Sequence, residues 1–202
     1  MTDTILEPAI ENPPVTFTQD HIGWTAWLQP LAEEDLNDRH YEALVDKARA
    51  KSSYFALLVR DPDILQARTK TDNDIFYNTK DGLPRAEREL SATAASRLNG
   101  CILCASVHSR FASQHSKRPE DVQKLLDEGV SADLGDRWNA IVAASVALSI
   151  TPPAFGKAHI ERLRDAGLGD EEISDVIHSA SFFNWANRLM LSLGEPTPAT
   201  AT

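Results

Sequence analysis

Apolar residues in this chain recur at spacings of three and four, the period of a helix that buries one side. No segment alternates apolar and polar residues as a half-buried strand does, and the reading is an all-α fold. From Glu33, EEDLNDRHYEALVDKARA carries acids in its first turn and bases in its last, as the helix dipole prefers. YFALLVR is short and apolar. Asp61-Pro62 opens the next helix, with proline in a first-turn position, and the helix runs through DILQARTKTDNDIFYN. Asp81, Gly82 and Pro84 make a turn. LPRAERELSATAASRL reads as a helix that stops at Asn99-Gly100, and CILCASVHSRFASQH continues with helical spacing.

Beyond it, RPEDVQKLLDEG is a short helix with Pro119 near its start and Gly129 at its end. LGDRWNAIVAASVALSI is apolar on most sides and is expected to be the most buried helix, broken by TPP at 151–153. GKAHIERLRDAGLGD and EEISDVIHSASFFNWANRLMLSLG give two more helices, each closed by glycine. The shared endings KLLDEG and RLRDAG are too short to be a repeat. In HIGWTAWLQPL, Trp24, Trp27 and Leu28 have helix-compatible spacing and suit core packing or a contact between copies of the chain.

The 202 residues fit one domain with a real core. Residues 1–20 carry Pro8, Pro13 and Pro14 with little periodicity and are expected as an arm, ordered where it lies on a neighbour. The helical domain is expected over 21–195, and PTPATAT, over 196–202, as a flexible tail.

Composition narrows the function by exclusion. A net charge of −10 argues against nucleic acid and anionic membranes as partners. No apolar run is long enough to span a bilayer, and the N-terminal segment lacks the basic and apolar regions of a secretory signal, so a cytoplasmic location is expected. In a reducing compartment a close cysteine pair is more often catalytic or metal-binding than structural. A disulfide closing so short a loop would also remove little unfolded-state entropy.

The two cysteines of the chain lie in NGCILCASVHSRFASQH. On a helix, Cys101, Cys104 and His108 fall on one face, a stripe continued by Phe111 and His115. Asn99-Gly100 puts Cys101 at or near a helix N-terminus, where orphan N–H groups and the dipole favour a thiolate. That makes a reactive sulfur beside a resolving one, with His108 one turn on as base or proton relay. Two other readings stand beside it. The cysteines could be apolar filler. A structural zinc site needs four ligands; His115 or His159 could complete one, although there is no second ligand pair. His21, His40 and His178 are isolated and read as solvated or core residues. Glu89 lies twelve residues before Cys101 and would face it in an antiparallel helix hairpin; otherwise it and Glu87 are solvated. Phe111, Trp138, Phe182, Phe183 and Trp185 are candidates for an apolar site lining, and each also suits the core.

The order Glu89, Cys101-Ile102-Leu103-Cys104, His108, set in RAERELSATAASRLNGCILCASVH, resembles the alkylhydroperoxidase D-like proteins of the carboxymuconolactone decarboxylase superfamily. The resemblance is clear over about residues 83–115 and looser to about 193; overall length is similar to the uncharacterised peroxidase-related subgroup. It implies an all-helical fold that assembles as trimers or hexamers, and thiol peroxidase chemistry on hydroperoxides with no metal and no cofactor. It implies Cys104 as the attacking thiol, Cys101 as its resolving partner, and Glu89 with His108 as the proton relay. One position departs from the prototype, which has histidine where this chain has Leu103. The reductant implied is a dithiol protein partner.

Two other functions remain. A lactone decarboxylase or isomerase is known in the same superfamily, but such members lack the dithiol. A redox-sensing or metal-storing helical oligomer would use the cysteines without turnover.

Overall fold

The computed structural model describes residues 5–78 and 80–199. Its helices are α1 (Asp38–Leu44), α2 (Ser53–Leu58), α3 (Pro62–Tyr77), α4 (Arg85–Asn99), α5 (Ile102–Ser116), α6 (Pro119–Glu128), α7 (Asp136–Ser149), α8 (Lys157–Asp165) and α9 (Asp170–Leu193). Local signals place most of their ends. Asp61 caps α3 by accepting from the Ile64 N–H, with Pro62 next in line. Gly100 closes α4 in the left-handed region at φ 79°, which glycine adopts without a Cβ penalty. His40 and His159, isolated in the sequence, accept from the backbone N–H at the start of α1 and α8. The segment from Glu33 is broken into a 3-10 turn at Glu33–Asp35, α1, and a second 3-10 turn at Lys47–Lys51.

Helix α4 is the axis of the fold. It packs most extensively on α5, then on α9 and α7. Its small residues Ala92, Ala94 and Ala95, with Ser91 and Ser96, are fully buried and let neighbours approach closely. One apolar core lies between α4, α6, α7 and α9 and includes Leu90, Leu125, Trp138, Ile141 and Val176. Helix α7, expected to be the most buried, buries eight of its fourteen residues, fewer than the ten of fifteen in α4. A second core joins Phe76, Ala95, Cys101, Cys104, Phe183 and Met190, and the cysteines sit in it.

Two expectations are corrected. Strands β1 (Gly23–Ala26) and β2 (Gly194–Thr197) pair antiparallel, Gly23 facing Thr197. Trp24 is therefore in a strand and not on a helix. The strands escape pattern reading because each is four residues long and β2 contains Pro196, which is tolerated at a sheet edge. Strand β2 also runs two residues into the segment expected as a tail; residues 200–202 lie outside the described residues. The described part of the arm makes contacts with its own chain. The Gln19 amide donates to the Pro119 carbonyl at 3.1 Å, and the Arg97 guanidinium sits 4.2 Å from the Phe17 ring centroid.

Candidate active site

Helix α4 ends at Gly100, and the chain reverses into α5 with Cys101 as its N-cap residue. The hairpin brings the buried middle of α4 against the first two turns of α5. This is the arrangement in which Glu89 can face the cysteine helix, and it does. Glu89 is fully buried, and its Oε2 lies 2.5 Å from His108 Nδ1. Its Oε1 accepts from Arg85 Nε at 2.6 Å. Both carboxylate oxygens thus meet donors, and since a carboxylate only accepts, Nδ1 carries the proton and Nε2 is the free nitrogen of the ring. The imidazole is held between Phe183, at 3.9 Å between centroids, and Phe76, at 5.2 Å.

The charged stretch RAERELS is not a solvated helix start. Glu87, Arg88 and Glu89 are all buried, and each is compensated. Glu87 takes Nε and Nη2 of Arg137 at 2.8 Å each. Arg88 donates to the carbonyls of Leu83, Ile75 and Asp81 and pairs with Asp175 at 2.9 Å.

Cys101 and Cys104 are free thiols with sulfurs 2.7 Å apart. The hydrogen bond shared with the Cys104 thiol lowers the Cys101 pKa; burial opposes this, while the Cys104 N–H and the Asn187 side chain add to it. Cys104 is pushed well above the ordinary thiol range by that same shared proton, by burial and by the Cys101 charge. The first proton therefore leaves the pair as a whole, and the charge rests on Cys101. Access runs the other way. Cys104, not Cys101, lines a pocket of about 650 Å³ together with His108, Glu89, Arg85 and Leu103. A second cleft, of about 640 Å³ beside Asp74, Arg88 and Asp175, has no thiol in its lining.

The structure thus brings all four expected site residues together. Of the five aromatic candidates for the lining, Phe111 and Phe183 do line the pocket. Phe182 is buried behind it, Trp138 belongs to the other core, and Trp185 is exposed. His115 is on the surface, stacked beside Phe111. Sequence reading missed Arg85, Asn187, Tyr54 and Arg68. Arg85 carried a signal, because it stands four residues before Glu89 on the same helix face. The others come from distant elements and carried none. Among the described residues no group of three or more His, Cys, Asp or Glu could hold a metal ion, and no helix is long and apolar enough to cross a membrane.

Residues 62–147 match the carboxymuconolactone decarboxylase family. No curated protein matches the chain. Among solved structures, the chain is similar to an alkylhydroperoxidase AhpD core, an uncharacterized peroxidase-related protein from Ralstonia eutropha JMP134. The TM-score is 0.68 at 23% identity, over 81% of this chain and 88% of that one. An uncharacterized peroxidase-related protein from Silicibacter sp. TM1040 aligns with a TM-score of 0.65 at 21% identity, over 94% of this chain and 96% of that one. The debrominase Bmp8, solved with 2,3,4-tribromopyrrole, aligns with a TM-score of 0.64 at 17% identity, over 81% and 87%. The mostly helical fold is shared with these proteins, and the matched segment covers Glu89, both cysteines and His108. The chain is thus similar to the carboxymuconolactone decarboxylase family over residues 62–147 and shares its fold with alkylhydroperoxidase AhpD-like structures.

Proposed function

We propose that the protein is a thiol peroxidase that reduces organic hydroperoxides through a Cys101/Cys104 dithiol–disulfide cycle. The observation that carries this reading is one pocket in which a thiol of a close pair, Cys104, meets an imidazole fixed by a buried carboxylate. The pair holds one proton after its first ionisation. Transfer of that proton from Cys104 to Cys101 across 2.7 Å puts the negative charge on the sulfur that lines the pocket. The Cys104 thiolate attacks the outer peroxide oxygen, the O–O bond breaks, and an alkoxide leaves. The proton released in that first ionisation is held on Nε2 of His108, oriented by Glu89, and passes from there to the alkoxide, which departs as the alcohol. The Cys101 thiol then displaces water from the Cys104 sulfenic acid, closing the disulfide. The dithiol has lost two electrons to the peroxide, and an external dithiol restores it by exchange.

Leu103 supplies no second imidazole, but Arg85 takes the far oxygen of Glu89 and so holds the relay carboxylate from the other side. Trp185 and Leu191 leave apolar surface exposed on α9, which supports assembly of the chain into a homo-oligomer. The debrominase neighbour is evidence that this fold accommodates other chemistry. The dithiol favours peroxide reduction here, because that reaction uses both sulfurs.

The test is mass spectrometry of reduced protein exposed to cumene hydroperoxide, alongside turnover with an excess of a small dithiol. Wild type is expected to lose two hydrogens, and Cys104→Ser to lose turnover while keeping its helical circular dichroism. A Cys104→Ser protein that still consumes peroxide at the wild-type rate would show the attacking thiol to be misassigned.

A further inference from the structure

The pocket in front of Cys104 holds two polar groups that the dithiol cycle does not use. Arg68 enters it from α3 with a side chain only 8% exposed. Its guanidinium is enclosed by the rings of Tyr54, Phe55 and Phe182, at 5.8, 5.6 and 5.3 Å from their centroids. Its nearest carboxylate oxygen, on Asp72, is 3.8 Å away, too far for a hydrogen bond. Nε and Nη1 of Arg68 are buried with no hydrogen-bond partner among the described residues, and so is the Tyr54 hydroxyl.

Both groups are close to the reacting sulfur. Burial raises the Tyr54 pKa, so the phenol stays a protonated donor; the charge of Arg68 and its polar contact with the phenol oppose this, and the charges of Cys104 and Asp72 reinforce it. The Arg68 charge in turn lowers Cys104 against the larger effects that raise it. A buried guanidinium with idle N–H groups is unfavourable unless something accepts from it. Guanidinium and phenol are both donors here, which matches a group that only accepts. The charged residues of the lining agree. Arg49, Lys51, Arg68 and Arg85 stand against Asp72 and Glu89, a positive balance in a chain of net charge −10. The remainder of the lining near Cys104 is apolar, with Leu103, Val107, Phe111, Phe183 and Met190.

We propose that Arg68 and Tyr54 form a carboxylate-binding subsite beside Cys104, and that the substrate is a hydroperoxide with an apolar body and an anionic carboxylate. This rests on the peroxidase reading of the same pocket. The carboxylate accepts from Arg68 and Tyr54, and the apolar body lies along Phe111 and Phe183 with the peroxide at Cys104.

The test compares a cumene hydroperoxide carrying a para carboxylate with its methyl ester. Charge-assisted hydrogen bonds to a buried arginine predict a kcat/KM ratio of acid to ester of about tenfold or more in wild type. Arg68→Gln is expected to bring that ratio to near unity, Arg68→Lys to keep part of it, and Tyr54→Phe to lower it. A parallel measurement needs no turnover: calorimetry of 4-isopropylbenzoate and its methyl ester with the Cys104→Ser protein. Tight binding of the acid alone, lost in Cys104→Ser/Arg68→Gln, supports the subsite even if neither hydroperoxide is reduced, in which case the peroxidase reading alone fails. Equal handling of acid and ester, by wild type in turnover and by Cys104→Ser in calorimetry, overturns the subsite. If Arg68→Gln does not fold, the wild-type ratio and Tyr54→Phe decide the matter.

Discussion

Glu89→Gln removes one charge from the centre of the relay and changes almost nothing else in shape. The carboxylate is fully buried and accepts from Arg85 at 2.6 Å and from His108 at 2.5 Å. A glutamine keeps one acceptor and turns an NH2 toward the other donor. If its carbonyl stays with Arg85, its NH2 faces His108 Nδ1. The imidazole must then accept at Nδ1 and carry its proton on Nε2, the reverse of the wild-type tautomer. A buried hydrogen bond to a charged group contributes about 1.5–3 kcal/mol, and one of two is lost here while the other is weakened. Destabilisation of about 3 kcal/mol is expected in urea titration, with helical content retained. General acid–base assistance is typically a factor of about 10²–10⁴, so peroxide turnover is expected to fall roughly a hundredfold. The control is Glu87→Gln, which disturbs another buried carboxylate on the same helix, paired with Arg137 on α7. It should lower stability and leave turnover intact. A folded Glu89→Gln protein with wild-type turnover refutes the relay role, and matched rate losses in both variants refute the distinction between relay and scaffold.

Two further outcomes follow from the thiol pair and from the turn that carries it. Cys104 is held above its unfolded value of 9.0, so its contribution to stability is present below about pH 9 and lost as pH rises toward the folded value. Cys101 is depressed, so its contribution is already complete above pH 9 and does not offset that loss. The reduced protein should therefore lose stability on alkaline titration, and Cys104→Ala should flatten that slope; an unchanged slope contradicts the assignment. Gly100→Ala meets no atom within 4 Å, so only its φ of 79° opposes the change. A loss of about 1 kcal/mol is expected by thermal or urea unfolding, with alkylation rates at Cys101 altered because the N-cap that positions it shifts.

How much of this was legible in sequence depends on the range of each interaction. Helix ends at Pro62, Gly100, Pro119 and Gly129 were readable because capping and turn chemistry are local. The face shared by Cys104 and His108 was readable because helical spacing is local too. Glu89 was ambiguous, since RAERELS has the composition of a solvated surface. What buries it is pairing with Arg85 and His108, while its neighbours Glu87 and Arg88 find Arg137 and Asp175 from far along the chain. Arg68 and Tyr54 were invisible for the same reason. They reach the sulfurs from α3 and α2, and no periodicity encodes which helix will lie across another. The 3-10 turns on either side of α1 are separated from it by local caps, the Asn37–His40 capping box at its start and the Asp46 cap of the following turn, which a continuous charge pattern conceals.

The pairing of β1 with β2 also sets an order in time. Trp24 and Gly23 from one strand and Thr197 from the other all line the pocket. Gly194 lies so close to Trp24 that a Cβ there would meet the indole at 2.4 Å. During synthesis on the ribosome, the thiols, His108 and Glu89 emerge long before residues 194–197 do. The wall of the pocket is thus finished only when the final strand arrives, and until then the cysteine pair stands beside an unroofed cleft. Newly made chains depend on that late strand, and on α9 just before it, to complete the surroundings of the sulfurs.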